Sequence, residues 1–127
     1  MAHLDPSRPL SPHLQVYHWY FTMFLSILHR VTGCALAVGA VLLTGWLLSA
    51  VSGADAYASF QSCLQSLIGQ LMLLGWLFAL CFHTLNGLRH LVWDAGYGIN
   101  VKDAYLSGLF VFIGAFVLTA LIWCYAG

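Results

Sequence analysis

From Val31 to Val51 no charged side chain interrupts the sequence. A helix over that stretch rises about 30 Å, the thickness of the hydrocarbon core of a bilayer. Two further apolar runs follow, one from about Leu67 to Leu88 and one from Tyr105 to Tyr125. Backbone in hydrocarbon has no water to bond, so runs of this length form helices. Only 6% of the 127 residues are charged, whereas a soluble domain carries about a quarter. The expected fold is therefore an all-α integral membrane protein with three transmembrane helices, over about 20–51, 65–93 and 105–126. Residues 1–127 are expected to form one membrane domain, with no separate soluble module. Three lipid-exposed spans enclose little interior, so a partner is expected to complete the helical bundle.

The N-terminal twenty residues do not read as a signal peptide: they hold Pro6, Pro9 and Pro12 and no early apolar core. Ser11 and Pro12 suit a helix start, and Val16, Tyr17, Trp19 and Tyr20 suit the headgroup layer. A short interfacial helix is expected there. The Ser52–Cys63 stretch, with one acid and no base, reads as a polar connection, and Asp94–Ala104 as a short loop. Arg8, Arg30, Arg89 and Lys102 are the only basic residues. Three alternating spans place all four on one side, which the positive-inside rule makes the cytoplasm or the mitochondrial matrix. All six histidines lie toward that same face.

Zero formal net charge and four bases exclude nucleic acid as a partner. Cys34, Cys63, Cys81 and Cys124 form no Cys-x-x-Cys pair, which argues against iron–sulfur ligation, structural zinc and covalent haem attachment in this chain. No nucleophile–base pair and no phosphate loop is evident.

Chemistry concentrates instead in two stretches. On a helix His83, Gly87, His90 and Asp94 share one stripe. A glycine one turn from a histidine lets a flat group lie against the helix, and a haem with His83 on its iron fits that pattern. Equally, His83 could hydrogen-bond a neighbouring helix, with Gly87 as a packing notch. At the start of the first span Ser26 and Arg30 share a face that Gly33 and Ala37 continue, with His29 about 60° to one side. Ionisable groups within membrane segments usually mark a site, although Arg30 and Arg89 near helix ends could simply anchor at the interface. His83 lies about 9 Å deeper than Arg89 along its helix. A haem at that depth would turn its propionates toward His29, Arg30 and Arg89. His29 is expected nearer the interface than His83, and His90 lies two turns away on the same helix, so neither suits the opposite face of one iron.

The stretches Arg8-Pro-Leu-Ser-Pro-His-Leu-Gln-Val-Tyr17, Ser26-Ile-Leu-His-Arg30 and His83…Gly87-Leu-Arg-His-Leu-Val-Trp-Asp94, in that order, resemble the cytochrome b membrane-anchor subunits of succinate dehydrogenase, respiratory complex II. The resemblance covers the whole chain and implies several roles. His83 is the axial ligand of a haem b shared with a second small membrane subunit, which supplies the other histidine. Ser26 and Arg30 line a ubiquinone pocket, and His29 and Arg30 lie near the haem propionates. His90 and Asp94 belong to the motif without an assigned role, Asp94 being a candidate to orient an imidazole. FAD and iron–sulfur clusters are expected only in a flavoprotein and an iron–sulfur partner, so this subunit is not an enzyme by itself. The N-terminus without a presequence points to a bacterial inner membrane or a mitochondrially encoded chain. Rival readings are a free-standing small haem b carrier and a membrane transporter that relays protons through His and Asp.

Overall fold

A computed structural model describes residues 17–126, which form four α-helices. In chain order they are α1 (Phe21–Ser52), α2 (Ala54–Gln65), α3 (Leu67–Asp94) and α4 (Val101–Ala126). By length and composition α1, α3 and α4 can each cross a membrane, and the protein is an integral membrane protein. With 32 residues, α1 is about 48 Å long against a hydrocarbon core of about 30 Å, so it tilts or stands out of the core.

The expected polar connection is a helix. Alanines at 54, 56 and 58 favour helix, and Asp55 stands in the first turn of α2, where the helix dipole favours an acid. Tyr57, Phe60, Gln61 and Leu64 recur at helical spacing, and that stripe faces the bundle. The Tyr57 ring lies 6.3 Å from that of Trp46, and Phe60 lies against Gly45. Gly53, at φ 117°, turns the chain from α1 into α2. Ser66 then accepts a hydrogen bond from the Gly69 amide at 3.1 Å and starts α3.

The other connection is shorter than expected, because α4 begins at Val101 and leaves only 95–100 between the helices. Gly96, at φ 86°, ends α3 in a Schellman motif. Its amide donates to the Trp93 carbonyl at 2.8 Å, and that of Tyr97 donates to the Val92 carbonyl at 3.1 Å. Asp103 in the first turn of α4 complements the helix N-terminus. Tyr17 to Tyr20 are not helical. The rest of the expected interfacial helix, and Arg8, lie outside the described residues.

Leu25 of α1, Cys81 and Phe82 of α3, and Val111 and Ala115 of α4 form the buried core. Small residues bring the helices close, as is usual without a hydrophobic drive between spans. At Gly108 of α4 a Cβ would come within 2.5 Å of Leu25, and at Gly39 of α1 it would collide with the Trp76 indole. The outward faces of all three spans are apolar.

Candidate functional site

α1 and α3 run antiparallel, which levels the ninth residue of α1 with the middle of α3. His29 and His83 thereby meet face to face, with ring centroids 3.9 Å apart and planes within 11°. The expectation that His29 lies nearer the interface than His83 is corrected: the packing of α1 on α3 sets the two rings at one level. The stacked arrangement still separates the two from one iron, because opposed axial ligands must point at each other rather than lie ring on ring. His90, two turns further along α3, has its ring 5.4 Å from His29 and edge-on to Trp93 at 5.2 Å.

His83 is held on one side. Its Nδ1 lies 3.1 Å from the His29 carbonyl oxygen and 3.2 Å from Thr32 Oγ1. Thr32 is 4% exposed and donates its own proton to the His29 carbonyl at 2.9 Å. Gly33 gives the ring room, since a Cβ there would come within 3.1 Å of His83 Cε1. His83 is half-buried, and its Nε2 bonds none of the described residues. Around Gly87 an added Cβ would meet nothing within 4 Å. A planar group can therefore lie against α3 beside a free imidazole nitrogen. His29 Nδ1, buried and without a partner among the described residues, is a polar atom this chain leaves unanswered beside that surface. These features suit a haem held by one histidine, and no group of three or more metal-ligating side chains occurs among the described residues.

Ser26 and Arg30 part company. Ser26 lines a cavity of about 360 Å³ with Tyr17, Tyr20, Thr22 and Met23 on one side and Asn86, Arg89, His90 and Trp93 on the other. Arg30, one turn on, is exposed on α1 and does not line it. Asp94 ends α3 and is exposed, with no hydrogen bond to an imidazole among the described residues. A second cavity, of about 310 Å³, lies at the opposite end between α1, α2 and α3. Leu42, Trp46, Phe60 and Trp76 make it apolar, and no histidine reaches it.

Arg89 does not behave as an interfacial anchor. It is 7% exposed and donates to Ser107 Oγ at 2.9 Å, Asn86 Oδ1 at 3.2 Å and the Ala104 carbonyl at 2.5 Å. Its guanidinium also stands 4.0 Å over the Trp93 ring. Arg89 thus joins the end of α3 to the start of α4 and holds one wall of the Ser26 cavity. Thr32, Asn86 and Ser107 are residues of the site that the sequence reading does not mark, and Gly33, read only as part of the small-residue face, is what gives His83 its room. Asn86 is a polar residue in an apolar run midway between His83 and His90, and Thr32 falls on the seven-residue spacing Leu25, Thr32, Gly39 that α1 buries.

A family model described as succinate dehydrogenase/fumarate reductase transmembrane subunit matches residues 5–122. The succinate dehydrogenase cytochrome b556 subunit of Paracoccus denitrificans is 44% identical over 115 residues, 91% of this chain and 88% of that protein. Its counterpart in Rickettsia prowazekii is 38% identical over 116 residues, covering 91% and 90%. The mitochondrial cytochrome b560 subunit of Homo sapiens is 36% identical over 112 residues, covering 87% and 66%. The chain belongs to the succinate dehydrogenase/fumarate reductase transmembrane-subunit family, and it is a membrane-anchor subunit of such a complex.

Proposed function

We propose that the chain, as a single anchoring domain, holds a succinate:ubiquinone oxidoreductase in a bacterial inner membrane or its mitochondrial counterpart. His83 is one axial ligand of a haem b, and Ser26 and Arg30 belong to the ubiquinone-reducing site at the cytoplasmic or matrix face. The observation that carries this reading is His83 itself. Its Nδ1 is tied to α1 while Nε2 stays free beside the bare backbone of Gly87. A haem bound there supplies a one-electron redox centre beside the quinone site. The chain's own part is to orient His83, to offer His29 and Arg30 to the propionates, and to place the Ser26 hydroxyl where it donates to a quinone oxygen. Arg30 offsets negative charge that develops on that oxygen as it is reduced.

A second small membrane subunit supplies the other axial histidine, since His29 is stacked on His83 and His90 shares its helix. Only 6% of the apolar window of α1 is buried within this chain, against 22% in α3. The open face of α1 is therefore the place for that partner. Succinate oxidation belongs to a flavoprotein carrying FAD, and electrons arrive through an iron–sulfur subunit.

The test is to purify the complex in mild detergent, identify its subunits, and record reduced-minus-oxidised spectra with His83, His29 and His90 each changed to Ala. Only His83→Ala should abolish the low-spin b spectrum, and this chain expressed alone should bind haem poorly. A stable bis-histidine spectrum from the lone chain, lost on His29→Ala, would overturn the shared ligation.

A further inference from the structure

The geometry points to Thr32 as a positioning residue that, together with the His29 carbonyl, holds His83 in the tautomer protonated at Nδ1 and leaves Nε2 free to bind iron. This rests on the haem reading above. A neutral imidazole carries one proton, and which nitrogen holds it is set by the partners of the other. His83 Nδ1 faces two oxygens, the His29 carbonyl at 3.1 Å and Thr32 Oγ1 at 3.2 Å. A carbonyl only accepts. Thr32 could in principle donate, but its proton is directed to the same His29 carbonyl at 2.9 Å. With that proton committed, Thr32 Oγ1 presents only lone pairs to His83.

Both neighbours are then acceptors, and Nδ1–H is the one tautomer that satisfies them. The opposite tautomer would set the Nδ1 lone pair against the carbonyl lone pairs with no proton between them. Nε2 is left deprotonated, without a partner among the described residues and on the open side of the ring, which is the state an iron ligand needs. Thr32, 4% exposed, is shielded from water that could take over its role. Gly33 lets the arrangement form by bringing the imidazole edge against α1. Nδ1–H shared with two oxygens also makes the ring a stronger electron donor, which favours ferric over ferrous iron.

The experiment compares Thr32→Val, nearly isosteric without the hydroxyl, with Thr32→Ser, which restores it, and with His83→Ala, all in the intact complex. The readouts are the midpoint potential of the haem and its rate of loss to an apoglobin acceptor. Thr32→Val should raise the midpoint and speed haem loss roughly ten-fold, and Thr32→Ser should return both toward the parent. Should Thr32→Val not assemble, Thr32→Ala, which adds no bulk, takes its place in the same comparison. An unchanged midpoint and loss rate without the hydroxyl overturns the assignment. So does a change that Thr32→Ser fails to reverse, which would make Thr32 a packing residue. If instead His83→Ala leaves the low-spin spectrum intact, it is the haem ligation by His83 that fails.

Discussion

Replacing Arg89 by Met keeps most of the aliphatic stem and removes the guanidinium, so it isolates the hydrogen bonds that join α3 to α4. Three acceptors lose a donor. Ser107 Oγ keeps its own bond to the Ala104 carbonyl, at 3.3 Å, so those two oxygens remain paired. Asn86 Oδ1 has no such alternative, because Asn86 is 1% exposed and its Nδ2 already lacks a partner among the described residues. Stranding one buried acceptor costs about 1–3 kcal/mol, and the stacked contact with Trp93 adds about 1 kcal/mol more. With the weakened bonds to α4, Arg89→Met should destabilise the subunit by about 3–4 kcal/mol. The assay is unfolding of the complex by sodium dodecyl sulfate in mixed micelles, followed by circular dichroism. Asn86→Leu on top of Arg89→Met should cost less than the two changes separately, with a coupling of about 1–2 kcal/mol, because the stranded amide disappears. A loss below about 1 kcal/mol for Arg89→Met, or strictly additive changes, would refute the clamp.

At the proposed quinone site, Ser26→Ala or Arg30→Ala should lower quinone reduction by roughly ten- to a hundred-fold, from one lost hydrogen bond to a charged or polarised group. Succinate oxidation with an artificial acceptor upstream of the membrane should stay near normal, and an equal loss in both assays would count against the site. Gly39→Ala collides with the Trp76 indole and should weaken the α1–α3 contact, whereas Gly75→Ala meets nothing and should be silent in the same unfolding assay. Gly87→Ala also meets nothing in this chain, so haem loss without loss of helix packing would report a group lying against α3 there. Cys63, exposed on α2, should react with an impermeant maleimide added from the side opposite Arg30 and Lys102, while buried Cys81 should not. Labelling of Cys63 only from the basic side would reverse the orientation.

Much of the architecture could be read from the sequence because lipid leaves few choices. An uncharged run such as Val31 to Val51 has to be helical, and the alternation of three spans brings the ends that carry Arg30, Arg89 and Lys102 together. What escaped was local. Ser52–Cys63 looked like a loop because its polar and small residues mask the Tyr57, Phe60, Leu64 stripe. Gly96 and Gly98 marked the second turn, but nothing in their vicinity announced that α4 would start as early as Val101. Within the site, periodicity groups Ser26 with Arg30 on one face, but a helix face is broad, and only Ser26 reaches the cavity while Arg30 is exposed. Relative depth was the weakest inference. Both helices begin within two residues of the expected positions, yet the depth of one against the other is set by how the antiparallel pair slides in packing, which neither stretch records. Arg89 illustrates the converse problem, since the hydroxyl and carbonyl that receive it come from α4, which no pattern within α3 can announce.

Ser26 and Thr32 stand six residues apart on α1, about 9 Å along one rigid helix. The first lines the cavity and the second grips His83. A helix does not stretch, so tilting of α1 in a thicker or thinner bilayer carries both points together. The spacing between them behaves like that of two marks on a ruler. The distance between the cavity that Ser26 lines and the imidazole that Thr32 grips is written into the pitch of a single helix instead of the fit between independently moving parts.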